Sequence, residues 1–238
     1  MGSAAPDVSV VTSGHDVADA RLHRLVAAFT RRGLTVEVLG LGDPADGPAS
    51  AAVTTRPRGS VWSRPVTAVR HAVRARGRVL LALDPDALVV ATAVARLRRR
   101  AVVADVHEDY AALLHDRSWA RGVAGALASA LVAVAERAAR RSDLLLVADE
   151  HVLPGGDPRR RVVRNLPDPG MLPEPGHGDD SPRALYVGDV RTSRGLAAMV
   201  AALAQAPAWS LDVGGPVAAA DRPWLESRLA SSGLGDRV

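Results

Sequence analysis

Short, β-branched apolar runs alternate with helix-length segments along almost the whole chain, and no other feature restricts the fold as strongly. An apolar run of about four to eight residues bounded by turn residues reads as a buried strand. Residues 7–12 (DVSVVT) open the series. Ser13-Gly14-His15-Asp16 then reads as a turn with a capping residue, and 17–32 as a helix with Leu22, Leu25, Val26 and Phe29 on one face. Gly33 fits the helix stop, and 34–39 (LTVEVL) is the next strand. The pattern continues through a weak strand at 51–55, a helix at 65–76, a strand at 78–83 and a helix at 85–98 with Pro in its first turn. A strand at 101–106 (AVVADV), an Ala-rich helix at 119–141 and strands at 143–147 and 161–165 complete it. This order predicts an α/β domain: a parallel sheet with helices on both faces. Ligands of such sheets bind beyond the C-terminal strand ends. The informative loops are therefore 13–16, 83–86 and 107–110.

Residues 166–182 break the pattern, with five prolines, three glycines and the adjacent acids Asp179 and Asp180 but no apolar period. They read as an interdomain linker. The alternation then restarts with a strand at 184–187, a helix at 195–206, a strand at 210–213 and a helix at 218–230. The expected organisation is a first domain over 1–165, a linker over 166–182 and a partial second domain over 183–238. So short a domain buries little apolar surface and leaves open parallel edges. The expectation is that it is the first part of a longer domain.

Composition narrows the function classes. With no cysteine, disulfide frameworks, thiol nucleophiles and cysteine metal sites are excluded. All 30 basic residues are arginine, and the net charge of +4 is spread along the chain rather than gathered in one block. Aromatic residues that would stack bases make up only 3% of the chain, so nucleic acid is not the expected partner. No basic region followed by an apolar run and a cleavage site stands at the N-terminus. The longest low-charge stretch, 122–135, reads as too short for a membrane span. A cytoplasmic protein is expected; the arginine clusters 98–100, 140–141 and 159–161 read first as solvated helix ends and loops, and the alternative is peripheral contact with anionic lipid at the inner membrane face.

Three loops on the first sheet hold candidate chemistry. His107-Glu108-Asp109-Tyr110 puts an imidazole and two carboxylates after the 101–106 strand, where His107 could handle a proton near neutral pH; the competing reading is a polar loop with a capping acid. Asp84-Pro85-Asp86 follows the 78–83 strand, and Asp84 reads first as a helix cap. Gly14, His15 and Asp16 lie at a strand–helix junction favoured by anions, but without a GxGxxG pattern. No HExxH is present, and His107 and His115 lack a helical metal-ligand spacing, so no metal is expected. In the second segment, Gly188 through Gly195 (GDVRTSRG) combines a glycine that lets backbone approach a ligand with Arg191 and Arg194, which suit a diphosphate.

Taken in order, these segments resemble glycosyltransferases of the two-Rossmann-domain type, GT-B, and within them family 4. SGHDVADAR at 13–21 is similar to the opening loop, RRGLTVEVL at 31–39 to the helix–Gly–second strand segment, and DPDAL at 84–88 to the family's His-Asp-Pro-Asp loop, with Leu83 in place of His. VVADVHEDY at 102–110 resembles a strand running into Asp-x-His-Glu, VRNLPD at 163–168 the hinge, and 186–196 the first donor-phosphate loop.

The resemblance implies transfer of a sugar from a nucleotide sugar to a glycan, lipid-linked or small-molecule acceptor, with retention of configuration and no metal or other cofactor. It implies that His107 lies against the transferred sugar and that Gly188, Arg191 and Arg194 hold the donor diphosphate. His107 and Arg194 would then face each other across a crevice between the domains. It also implies an acceptor side built from Gly14, His15, Asp16, Asp84, Asp86 and Glu108. Two departures stand out. Asp189 occupies a position where the family commonly has a basic residue, and the family's Glu-x7-Glu region would lie beyond Val238, so these 238 residues are not expected to turn over. A non-catalytic binding module derived from such an enzyme is the alternative.

Overall fold

A computed structural model describes residues 4–115, 120–166, 174, 181–188, 190–217 and 219–238. Most of the 166–182 linker, Asp168, Asp189 and the expected helix starts at 119 and 218 lie outside the described residues. The chain divides into two compact units, Met1–Leu172 and Pro173–Val238.

The first unit runs β1 (Val8–Asp16), α1 (Ala20–Arg31), β2 (Val36–Leu41), β3 (Ala52–Arg56), α2 (Arg64–Arg74), β4 (Val79–Ala82), α3 (Pro85–Arg98), β5 (Ala101–Val106), α4 (Tyr110–His115), α5 (Gly122–Arg140), β6 (Leu144–Val147) and β7 (Arg160–Val162). Its seven strands are all parallel, in the order β3-β2-β1-β4-β5-β6-β7. The chain direction across the sheet reverses between β1 and β4, and such a reversal opens a crevice at the carboxyl ends of the two strands.

Strand residues alternate between two cores. Val8, Val10, Val36, Val38, Leu81 and Leu83 pack with Leu22 and Val26 of α1. Val11, Leu39, Leu80, Ala82, Val102 and Ala104 pack with alanines of α2, α3 and α5. A sheet buried on both faces needs continuous apolar strands, which is how these runs read. Each fully buried Val or Leu contributes about 1.5–3 kcal/mol. The second unit is a parallel pair, β8 (Arg183–Val187) and β9 (Ser210–Gly214), with α6 (Leu196–Gln205) and α7 (Arg222–Ser232). Its core gathers around Val200, Leu203, Leu211 and Leu234.

Several boundaries differ from the sequence reading. The 13–16 turn is the end of β1: the strand continues to Asp16, which pairs with Leu41. The cap of α1 is consequently Asp19, which accepts from the Arg21 N–H. The 107–110 loop passes into α4, and Asp109 caps it by accepting from the Ala112 N–H. The low-charge stretch belongs to α5, whose 19 residues and mean hydropathy of 1.4 make it long and apolar enough to cross a membrane by length and composition alone. The length argument against a span therefore does not hold, although Val132, Ala135 and Ala139 of α5 are buried within this unit.

The arginine clusters are largely committed to the fold. Arg98 donates to the carbonyls of Val73 and Ala75, and Arg100 to Ala75, closing the C-terminal end of α2. Arg159 and Arg160 donate to backbone carbonyls of 140, 142, 149, 150, 152 and 153.

One buried ion pair ties α1 to the sheet. Arg21 of α1 makes a two-pronged contact to Asp105 of β5, through Nε at 2.8 Å and through a terminal nitrogen, and both residues are buried. Removing one partner of such a pair strands the other charge and costs about 3–5 kcal/mol. Asp105→Ala should lower stability in urea denaturation by that amount. The double variant Arg21→Met with Asp105→Leu should recover most of the loss.

Candidate functional site

At the β1/β4 reversal lies a cleft of about 470 Å³ contained within the first unit. Its polar floor comes from the strand ends: Gly14 and His15 in the last residues of β1, Asp84 and Asp86 after β4, His107 and Glu108 after β5. Its walls come from Val61 and Trp62 ahead of α2, Leu113 and Leu114 of α4, and Leu127 and Leu131 of α5.

Asp84 organises the floor. It stands at the N-cap position of α3 but makes no capping bond. Its carboxylate turns to the neighbouring strand, accepting from the Thr12 hydroxyl, the Ser13 N–H at 2.8 Å and the Gly14 N–H at 3.1 Å. The helix-cap reading of Asp84 thus gives way to a longer-range role, because three β1 donors compete better for its oxygens than the α3 backbone does. Arg64 of α2 adds a cation, one terminal nitrogen reaching Asp84 at 3.0 Å and Asp86 at 2.9 Å. Asp86 is held from the other side by the Ser13 hydroxyl at 2.7 Å. Gly14 is required by this crowding: a Cβ there would lie 2.7 Å from the Asp84 carboxylate and 2.8 Å from Arg64. Burial pushes the Asp84 carboxyl up, but His15, Arg64 and the β1 donors outweigh it and hold the group below its ordinary value.

Two imidazoles stand over this floor with ring centroids 5.0 Å apart, edge to face. His15 lies between two carboxylates, with Nδ1 3.0 Å from Asp19 and Nε2 3.6 Å from Asp84. Burial works against its charged form, but Asp19 and Asp84 prevail and raise its pKa above 6.5. Asp19 is correspondingly lowered to about 2, chiefly by its hydrogen bond to His15. His107 shifts the opposite way, lowered by burial and by the charge on His15. Its buried Nδ1 has no hydrogen-bond partner among the described residues. Tyr110 stands beside His107 and donates to the Leu83 carbonyl at 2.9 Å. The pair thus sets an imidazole whose surroundings favour its charged form beside one whose surroundings favour its neutral form, two groups that can exchange protons near neutral pH.

Of the residues singled out on the first unit, the cleft gathers Gly14, His15, Asp84, Asp86, His107 and Glu108. Asp16 does not line it; its carboxylate accepts from the Ala18 N–H and meets Arg58 at 3.7 Å. Thr12, Arg64 and Trp62 lie outside the loops that the sequence singles out, and Ser13 and Tyr110 lie within those loops without having been given a role of their own. The loop after β8 is described with the second unit. Gly188 and Gly195 take positive φ values of 152° and 84°, Arg194 is exposed and Arg191 partly so. The Thr192 N–H donates to Asp221 at 3.2 Å. Among the described residues no group of three or more His, Asp or Glu side chains comes together as a metal-ligand set.

Opposite shifts in neighbouring imidazoles are directly measurable. In an NMR pH titration His15 should titrate above 6.5 and His107 below it. Asp19→Asn should lower the His15 midpoint. A raised pKa in the folded state stabilises the protein below the unfolded value, and that contribution is lost as pH rises through the folded one. Equal midpoints, or the reverse order, would refute the arrangement.

No family model matches the sequence, and no curated protein matches it. Solved structures do. Anabaena Alr3699/HepE in complex with UDP and glucose aligns with a TM-score of 0.66 at 16% identity, covering 97% of this chain and 67% of that one. Sucrose-phosphate synthase (tll1590) from Thermosynechococcus elongatus aligns at 0.65 and 16% identity, covering 98% and 69%. The lipopolysaccharide outer core galactosyltransferase WaaB aligns at 0.57 and 10% identity, covering 97% and 66%. The chain thus spans about two thirds of the length of each. At these identities the likeness is one of fold: a Rossmann-like parallel-sheet unit followed by a smaller second sheet unit, consistent with a partial GT-B fold.

Proposed function

We propose that this protein is a glycosyltransferase that moves a sugar from a nucleotide-sugar donor to an acceptor hydroxyl with retention of configuration, as in family 4, and that the first-unit cleft is its acceptor side. The observation that carries this reading is the pair of oppositely tuned imidazoles above Asp84 at the sheet reversal, on a fold shared with a protein solved with UDP and glucose. In the reaction the bond from sugar C1 to the diphosphate breaks, C1 bonds to the acceptor oxygen, and the acceptor proton is released. His107, which lines the cleft, stands against the transferred sugar. His15, Asp84, Asp86 and Glu108 orient the acceptor. Gly188, Arg191 and Arg194 take the donor diphosphate, where a fixed cation stabilises the charge that develops on the leaving group. A cytoplasmic location at the inner membrane face belongs to the same reading.

A non-catalytic binding role is the second reading, favoured by the small second unit, whose sheet has two strands among the described residues. Nucleoside diphosphate release across a panel of nucleotide sugars separates the two. The enzyme reading expects release with a matching donor and acceptor from a protein that also carries the Glu-x7-Glu region, and there a loss of about 10²–10⁴-fold in His107→Ala with an unchanged thermal melt. Ligand binding with no release, in wild type and variant alike, would favour the binding module.

A further inference from the structure

The cleft walls do not stop at the cleft. On one side, Trp62 is 68% exposed, and α2 presents Val66, Val69 and Val73 outward at helical spacing. On the other, α5 presents Val123, Leu127 and Val134, with Leu127 64% exposed. A monomeric soluble protein rarely leaves a long apolar run uncovered. Residues 51–83 hold seven arginines and no acid, and Arg58, Arg64, Arg76 and Arg78 among them pair with carboxylates from other segments. Arg70 and Arg74 alternate with the exposed valines of α2 and pair with no carboxylate among the described residues. Most arginines of the clusters that first suggested lipid contact are spent on backbone carbonyls, whereas Arg70 and Arg74 are exposed among the α2 valines.

We infer that this edge of the first unit docks on an anionic lipid bilayer, with Trp62, the α2 valines and the N-terminal half of α5 in the headgroup–acyl boundary and Arg70 and Arg74 on lipid phosphates. Apolar side chains flanked by arginine, with a tryptophan at the edge, are the composition of an interfacial helix, and each basic residue near an anionic surface adds attraction. A second copy of the chain would gain nothing from unpaired arginines meeting unpaired arginines. Because Val61, Trp62, Leu127 and Leu131 belong both to this face and to the cleft, the docked cleft opens onto the leaflet. On the acceptor reading above, on which this clause rests, the acceptor is a hydroxyl compound carried on a hydrocarbon anchor.

Vesicle co-sedimentation tests the docking without reference to any reaction. The 238-residue protein should pellet with 3:1 phosphatidylcholine–phosphatidylglycerol vesicles and stay in the supernatant with phosphatidylcholine alone. Bound fraction should fall at least tenfold in the double variant Trp62→Ser with Leu127→Asp. It should fall similarly in Arg70→Gln with Arg74→Gln, and stay unchanged in Leu97→Asp, an exposed leucine near the far end of α3. Near-native circular dichroism in the first variant excludes misfolding as the cause. Equal binding to neutral vesicles, no binding to anionic ones, or indifference to the variants overturns the proposal. So does sedimentation equilibrium showing a lipid-free dimer that Leu127→Asp dissociates, since a second copy would then cover the face. Loss of sugar transfer with intact vesicle binding would instead count against the function proposed above alone.

Discussion

A single buried carboxylate governs the geometry of the cleft. Asp84 is only 6% exposed, and burying an anion costs several kcal/mol unless partners compensate it. The compensation comes from two elements: β1, through the donors at its end and the imidazole of His15, and α2, through Arg64. Each is fixed in turn by what it gives to Asp84. The β1 extension keeps its backbone N–H groups turned toward β4, Arg64 is drawn across both aspartates, and His15 is held between Asp84 and Asp19. The Arg21–Asp105 pair does the parallel work beneath β5, joining α1 to the strand that presents His107. The site is therefore a set of charges fixed by mutual neutralisation on a rigid sheet edge.

The chemistry of the cleft follows from which elements end there. Parallel strands deliver polar residues at their carboxyl ends, because the loops that follow leave the apolar layers. Helices α4 and α5 and the segment before α2 instead deliver apolar side chains that stay half-buried or exposed among the described residues. The result is a charged floor under apolar walls. An amphipathic occupant is matched on both sides, since a purely polar one would leave Trp62 and Leu127 wet and a purely apolar one would leave the carboxylates without partners.

Much of this was legible in the sequence, and the failures share a cause. The alternation of β-branched runs and helical periods locates the strands, and the strand-end rule picks out Gly14, His15, Asp84, Asp86, His107 and Glu108, which converge. What sequence could not supply is any contact made across the fold. Asp84 reads as a cap because the competing donors, Thr12 and Ser13, lie more than 70 positions away. Arg64 looks like one more solvated arginine until α2 carries it to the aspartates. Asp16 looks like a site residue, but the alternation of a strand sends its side chain elsewhere. The 98–100 and 159–161 clusters look free because backbone carbonyls have no sequence signature.

The direct test of this account is the titration of the Asp84 carboxyl, followed by carbon-detected NMR with assigned aspartates. An anion that is over-compensated despite its burial must protonate below the ordinary 3.8. The stabilisation it gives is then present above the unfolded value and lost as pH falls through the folded one. A midpoint below 3.8 that rises when Arg64 is replaced by Gln is the predicted result. A midpoint at or above 3.8 would mean that burial outweighs the partners, and Asp84 could not be what holds the cleft together.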